Sequence, residues 1–334
     1  GEGEGDEGEG EGGEGEGERI VCDNVPSVSP GADVCAVTAG AGGVVVVGDV
    51  LLPGTVIEGG GVSIEDDGTI SCVGCDCIDN AGGKTQVVCP DAVVSPGFIN
   101  AHDHAGWMND VPWVPGTKET PIADPATRWE QRNDWRKGLR GNPKILVGGG
   151  ANQQAKALGE LRFILGGATA TNASGGFSGP AGDGSDGFLR NVDDRTDMNA
   201  IGSGNVDYQT FPLGDSNGTQ LASGCAYPNI LDPPSPNIPY SPHIAEGIDA
   251  VAHNEFLCLS SNANGGHDQM TSHTAVIHGV GLLPGDVALM AQRGASLIWS
   301  PRSNVSLYGD TATIPLFKHL GVNVALGTDW IPSG

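Results

Sequence analysis

The stretch TAVIHGVGLLPGDVALMAQRGASLIWSPRSNVSLYGDTATIPLFKHLGVNVALGTD, Thr274–Asp329, decides the fold. Thr274–His278, Ser296–Ser300 and Val322–Leu326 are apolar, β-branched runs short enough to be buried strands. Between them, Pro284–Arg293 and Thr313–Leu320 read as helices, with Gly294 and Gly321 just past their ends where a left-handed cap is favoured. Strand, helix, strand, helix, strand at this spacing predicts parallel βαβ units. The length of the chain and the polar residues at the strand ends favour an α/β fold of the (β/α)8 TIM-like barrel type over an open sheet.

Upstream, Ala151–Leu165 has helical spacing, with apolar positions at Ala155, Leu158, Leu161, Ile164 and Leu165; Gly166-Gly167 ends it and Ala168–Asn172 reads as the next strand. Residues 175–240 are loop-heavy and follow no regular period. From Gly40 to Ser95 the pattern is short β. Val44–Val47 is a β-branched run, and Val56-Ile57, Val62–Ile64 and Thr69-Ile70 alternate around glycine and Asp-Asp-Gly turns, which predicts a small N-terminal β-sandwich. Three segments follow: an acidic Gly/Glu tether over 1–18, a cysteine-rich sandwich part over 19–95, and a barrel over 96–334.

The charge is lopsided. The chain carries 41 Asp+Glu against 16 Lys+Arg, a formal charge of −25. Nucleic-acid binding, which wants a basic footprint, is excluded on that balance, as is simple adsorption to anionic lipid. Residues 1–18 are nine glycines and nine acids; such a segment buries nothing and predicts a disordered, self-repelling tether. In an exported bacterial protein a tail of this kind links an upstream lipid anchor to a folded domain, so a periplasmic or cell-surface lipoprotein is expected. No run of 18 apolar residues is present, so no membrane-spanning helix is expected.

Eight cysteines, six of them in the first 89 residues, point to disulfides and an oxidising compartment. Spacing does not fix the pairing; Cys22–Cys35 and Cys225–Cys258 are the expected bridges. A structural zinc site at Cys72, Cys75, Cys77 and Cys89 is the competing reading.

Chemistry is concentrated at strand ends. Pro96-Gly97-Phe98-Ile99-Asn100-Ala101-His102-Asp103-His104 is an apolar strand ending in His-x-His. Residues i and i+2 on a strand point the same way, so both imidazoles can reach one metal; two loop histidines are the bland alternative. His243-Ile-Ala-Glu246 offers a ligand and a general base, or only the start of a short helix. His278 closes the Thr274–Ile277 run and is otherwise a core histidine, and Asp329 is otherwise a helix N-cap. The four stretches together present His-x-His, His-x-x-Glu, His and Asp in order, on the barrel face that holds active sites.

On these residues, with the β-rich start, His278-Gly279, Ser300-Pro301-Arg302-Ser303-Asn304 and Gly327-Thr328-Asp329, the chain resembles the amidohydrolase superfamily over roughly residues 40–334, in particular its cytosine-deaminase and chlorohydrolase-like branch. The resemblance implies that His102, His104, His243 and Asp329 bind one divalent metal, with zinc suited to that ligand set and iron(II) the alternative. It implies that Glu246 shuttles protons, that His278 holds the attacking water or polarises the substrate, and that Asn304, Arg302 and Trp107 line the substrate pocket. Trp113 and Trp330 flank the motifs and join that expectation. No lysine sits at a strand end before His243, which favours one metal over two. His253, His267, His273 and His319 read as surface or structural.

Members of the family continue past the Asp motif with a last helix and a return to the sandwich. Here that final helix and sandwich return are expected to be missing, leaving apolar barrel surface exposed. The implied activity is metal-dependent hydrolysis of a C–N bond in a small nitrogenous substrate, of deaminase or cyclic-amidase type. Carbon–halogen or ester hydrolysis by the same activated water is the nearest alternative. A non-catalytic exported binding protein is the competing class, against which Glu246 and His278 count, because binding needs neither.

Overall fold

A computed structural model of the chain describes residues 17–28, 35–110, 128–176, 187–193, 206–232 and 237–333. Most of the acidic tether and Trp113 lie outside them. The chain divides into two units, Gly1–Pro96 and Gly97–Gly334.

The described part of the first unit is one six-stranded mixed sheet. Its strands are β1 (Glu18–Val21), β2 (Ala36–Thr38), β3 (Val44–Leu52), β4 (Thr55–Ile64), β5 (Ile70–Gly74) and β6 (Thr85–Val94), in the order β1-β4-β3-β6-β2 with β5 also on β4. A second sheet that would complete a sandwich is not among the described residues. Glu18, placed in the tether by its composition, begins β1 and pairs with Thr55. The two alternating runs at Val56-Ile57 and Val62–Ile64 belong to one strand, because the glycines at 59–61 continue the β3 ladder rather than turning. Small apolar cores, one of Val45, Val47, Ala81 and Val88 and one of Cys22, Val50 and Ile57, sit against the sheet.

Three disulfides supplement those cores: Cys22–Cys75, Cys35–Cys89 and Cys72–Cys77. The expected Cys22–Cys35 bridge does not form. Cys22 leaves β1 beside β4, its N–H donating to Glu58 at 3.0 Å, and meets Cys75, whereas Cys35 enters β2 beside β6 and meets Cys89. All four cysteines of the alternative zinc site are thereby consumed. Cys225–Cys258 forms as expected, with Cα atoms 5.5 Å apart.

The described part of the second unit carries eight strands, all in parallel pairings. A three-stranded sheet contains β7 (Phe98–Asn100), β8 (Ala168–Thr171) and β9 (Arg190–Asn191); a five-stranded sheet contains β10 (Asp207–Gln209), β11 (Tyr240–Ile244), β12 (Ala275–His278), β13 (Ser296–Trp299) and β14 (Val324–Leu326). Backbone bonds join the two at both edges. Val206 donates to Val192 at 2.9 Å, Ala101 to Leu326 at 2.9 Å and Asp329 to His102 at 3.0 Å.

The helices form where capping and spacing dictate. α4 (Ala250–Leu259) opens on Asp249, whose carboxylate accepts from the N–H of Val251 and Ala252 at 3.0 Å. α5 (Pro284–Arg293) has Pro at its start and ends on left-handed Gly294, as read from the sequence. α7 (Ile314–His319) is one residue shorter than expected at each end. The unit's main core, including Ile244, Phe256, Met270, Val276, Leu297 and Phe317, lies between β11–β13 and these helices. In α3 (Gln153–Leu165), by contrast, the buried residues are Gly159 and Glu160, while Leu158 and Leu165 are 61% and 80% exposed. Phe98, Ile99 and Leu326, on the first and last strands, are likewise exposed and line an apolar groove with Phe163 and Arg302. No helix among the described residues is long and apolar enough to cross a membrane.

Candidate metal centre

The strand ends of the second unit converge on one buried point. His102 follows β7, His243 lies in β11, His278 ends β12 and Asp329 follows β14. One ligand atom from each of these four lies within 4.8 Å of all the others. His102 Nε2 is 3.1 Å from Asp329 Oδ1. His104 reaches the same place, its Nε2 being 3.2 Å from His243 Nε2 and 3.6 Å from Asp329 Oδ1. The four residues expected as ligands are therefore brought together, with His278 as a fourth imidazole beside them.

The backbone is bent to do this. Ser174, Ala245, His278 and Asp329 all have positive φ, between 50° and 74°, at the exits of β8, β11, β12 and β14. Left-handed conformations in residues other than glycine are uncommon and gather at functional sites. Gly327 supplies the needed close approach: a Cβ there would lie 2.9 Å from His102 Cβ and 3.0 Å from its carbonyl oxygen.

The donor set suits a divalent cation. Burial, reinforced by His102, pushes His104 down to about 3, and burial with the neighbouring histidines pushes His243 well below the ordinary imidazole value. Both rings are thus neutral and present lone pairs. His243 Nδ1 faces the Gln209 carbonyl at 3.2 Å, a contact that assigns the proton to Nδ1 and leaves Nε2 free toward the centre. Burial works to raise Asp329, but the hydrogen bond to His102 and the surrounding imidazoles outweigh it and hold the carboxyl below its usual range. Ser303 donates to its other oxygen, leaving Oδ1 for the centre. Three imidazoles and a carboxylate converging on one point are a ligand set for zinc or a similar ion.

Glu246 is buried beside the centre. Tyr308 donates to its Oε1 at 2.7 Å, and its Oε2 is 3.6 Å from His278 Nε2. Asn304 is buried and its Oδ1 lies 3.1 Å from His278 Nδ1. It orients His278 rather than lining the cavity, contrary to expectation. Arg302 also departs from expectation: it is exposed and borders the apolar groove beside β7 and β14, because its side chain leaves α6 (Pro301–Tyr308) on a different face from Ser303, Asn304 and Tyr308. Trp107 and Trp330 do border the cavity at the centre, which has a volume of about 460 Å³.

Sequence reasoning missed Tyr308, the contact Ser303 makes with Asp329, and the segment Arg132–Lys144. Tyr308 stands four residues after Asn304 on one helix, a spacing that puts both on one face and could have flagged it. Among the remaining histidines, His253 pairs with Asp286 and His267 with Asp232, each at 2.9 Å.

Comparison with known proteins gives a consistent set of relatives. No family model matches the chain. A 5-methylthioadenosine/S-adenosylhomocysteine deaminase from Haloquadratum walsbyi is 24% identical over 265 residues, covering 71% of this chain and 56% of its own length. An aminodeoxyfutalosine deaminase from Deinococcus radiodurans is 38% identical over 65 residues, 20% of this chain and 16% of its own. The chain thus spans little more than half the length of the first of these relatives and far less of the second. Among solved structures, an atrazine chlorohydrolase from Arthrobacter aurescens complexed with zinc superposes with a TM-score of 0.52 at 14% identity, over 86% of this chain and 72% of that one. A zinc-bound adenosine deaminase from Xanthomonas campestris gives 0.50 at 14% identity, over 93% and 70%. At that identity the likeness shows a shared α/β fold.

Proposed function

We propose that this chain, similar in sequence to deaminases and in fold to a zinc-bound chlorohydrolase, is a metal-dependent hydrolase of the amidohydrolase type that cleaves a C–N bond in a small ring compound. The observation that carries the reading is the convergence of His102, His104, His243, His278 and Asp329 on one buried point with Glu246 beside it. We read the eight parallel strands as a closed (β/α)8 barrel; the bonds from Ala101 to Leu326 and from Asp329 to His102 support closure of the last strand onto the first.

His102, His104, His243 and Asp329 would hold the ion, with zinc favoured by the imidazole-rich set. A divalent metal bound there would supply Lewis acidity, able to bring the pKa of water from 15.7 toward about 7. Glu246, held by Tyr308, takes the proton from the attacking water and returns it to the departing nitrogen. His278, whose Nδ1–H donates to Asn304 Oδ1, is fixed with its Nε2 lone pair toward the centre, where it accepts a hydrogen bond from the attacking water and holds it in place. Carbon–halogen hydrolysis is the second reading, favoured by the likeness to the zinc-bound chlorohydrolase. Four disulfides among the described residues support an exported, oxidising location.

Elemental analysis combined with an ammonia-release screen across ring amines tests the proposal. His102→Ala is expected to lose metal and turnover together, and Glu246→Gln to keep metal and lose turnover. Full activity in Glu246→Gln would remove that carboxylate from the mechanism.

A further inference from the structure

We propose that the cavity at this centre selects a planar ring substrate bearing an anionic group, a carboxylate or a phosphate; the inference rests on the hydrolase reading and narrows it. In a chain with 16 basic and 41 acidic residues, Arg132, Arg136, Lys137 and Lys144 all border one cavity. The carboxylates bordering it among the described residues are Glu246 and Asp329, both engaged at the centre. Arg132 is already matched, with Nη2 2.8 Å from Asp215 and Nε 3.7 Å from Glu255. Arg136, Lys137 and Lys144 make no ion pair among the described residues.

Charge that served only solubility would be acidic here and scattered. These cations instead come from one short stretch, α2 (Arg132–Lys137) and the turn after it, and face one concavity. Arg136 is oriented as well as charged. Its guanidinium stacks on Phe211 with Cζ 4.2 Å from the ring centroid, and it donates to Asn133 Oδ1 and to the Ser216 carbonyl at 3.5 Å. A cation held flat in a low-dielectric wall attracts a planar oxyanion more strongly than a mobile surface lysine does. The opposite requirement, a surface for the ring itself, is met by Trp107, Trp135 and Trp330. Trp135 and Trp330 lie 5.1 Å apart at 34°, and Trp107 stands edge-on to Trp330.

The test reads binding rather than turnover. The full-length chain as isolated is titrated with benzoate, its neutral isostere benzamide, and phenyl phosphate, following tryptophan emission. We expect at least one anion to bind about tenfold or more tighter than benzamide, with the ratio shrinking at high salt. Arg136→Gln and Lys144→Gln are each expected to cut that ratio by about threefold or more. The better of benzoate and phenyl phosphate tells carboxylate from phosphate. Equal binding of benzamide and the anions, or no saturable binding of any probe, overturns the proposal. So does a preference that both substitutions leave intact and that disappears on chelation, since it then belongs to the metal. A chain that hydrolyses neither ring amines nor ring halides would sink the hydrolase reading while leaving this binding result standing, so the two failures are separable.

Discussion

Arg132→Met should be among the most damaging single changes in the second unit. The side chains of Arg132 and Asp215 are each 1% exposed. Arg132 Nη2 donates to both Asp215 oxygens, at 2.8 and 3.0 Å, and Nη1 donates to the Thr210 carbonyl at 2.7 Å. Its backbone N–H donates to the Glu246 carbonyl at 3.0 Å, so the same residue steadies the strand exit that carries Glu246, the proposed proton shuttle. At an effective dielectric of about 20, unit charges 2.8 Å apart attract by about 6 kcal/mol. Breaking a buried pair by removing one partner costs about 3–5 kcal/mol. Burial pushes the neighbouring Glu255 up to about 7 even with Arg132 present, so that carboxyl will be neutral at pH 7 once Arg132 is gone, which holds the loss near the middle of the range. About 4 kcal/mol corresponds to a fall of about 8–16 °C in Tm for a unit of this size. All six tryptophans lie in Gly97–Gly334, so urea unfolding followed by tryptophan emission reports this unit alone. Replacing both partners, as Arg132→Met with Asp215→Leu, should recover much of the loss. A single variant within about 1 kcal/mol of the parent, or a double variant no better than the single, would refute the assignment of a strongly coupled buried pair.

Other outcomes are accessible with the same material. Tyr308→Phe removes the hydrogen bond to Glu246 and should lower kcat by about tenfold or more with metal content unchanged by elemental analysis. Gly327→Ala forces a methyl group against His102 and should reduce metal stoichiometry, measured after dialysis into metal-free buffer. Chelation should lower the tryptophan-monitored Tm, and zinc at about 100 times its Kd should restore about 2.7 kcal/mol. Reducing the disulfides should destabilise the first unit; the Cys35–Cys89 bridge alone, closing a separation of 54 residues, is worth about 4 kcal/mol, read by far-UV circular dichroism.

The C-terminal βαβ units were legible because each signal is local. Pro284 and Gly294 bracket α5, and the runs at 275–278 and 296–299 have no polar interruption. The candidate metal set could be assembled from sequence because each of its members lies at or just past the end of a strand. Disulfide pairing could not, since it depends on which strands lie side by side: β1 pairs with β4 across a long loop, and nothing near Cys22 encodes that. The cationic wall escaped notice because Arg132–Lys144 reads as a polar helix and turn, and only tertiary packing turns its face toward the centre. Arg302 and Asn304 were misjudged together, since motif proximity says nothing of which helix face each residue takes. The apolar positions of α3 announced a helix correctly, yet periodicity could not tell that they remain exposed.

The positive-φ residues at the strand exits govern how this centre can change. Ser174, Ala245, His278 and Asp329 occupy a main-chain conformation that asparagine, aspartate and glycine accept readily and that valine or isoleucine resist by about 1–2 kcal/mol each. The mutational neighbourhood of the catalytic face is therefore narrowed by geometry before chemistry is consulted. Conversion to a new activity is easier through the side chains that border the cavity away from those exits, such as Trp107, Trp135 and Lys144, than through branched side chains at the exits, where a lost ion and a misfolded corner would arrive together.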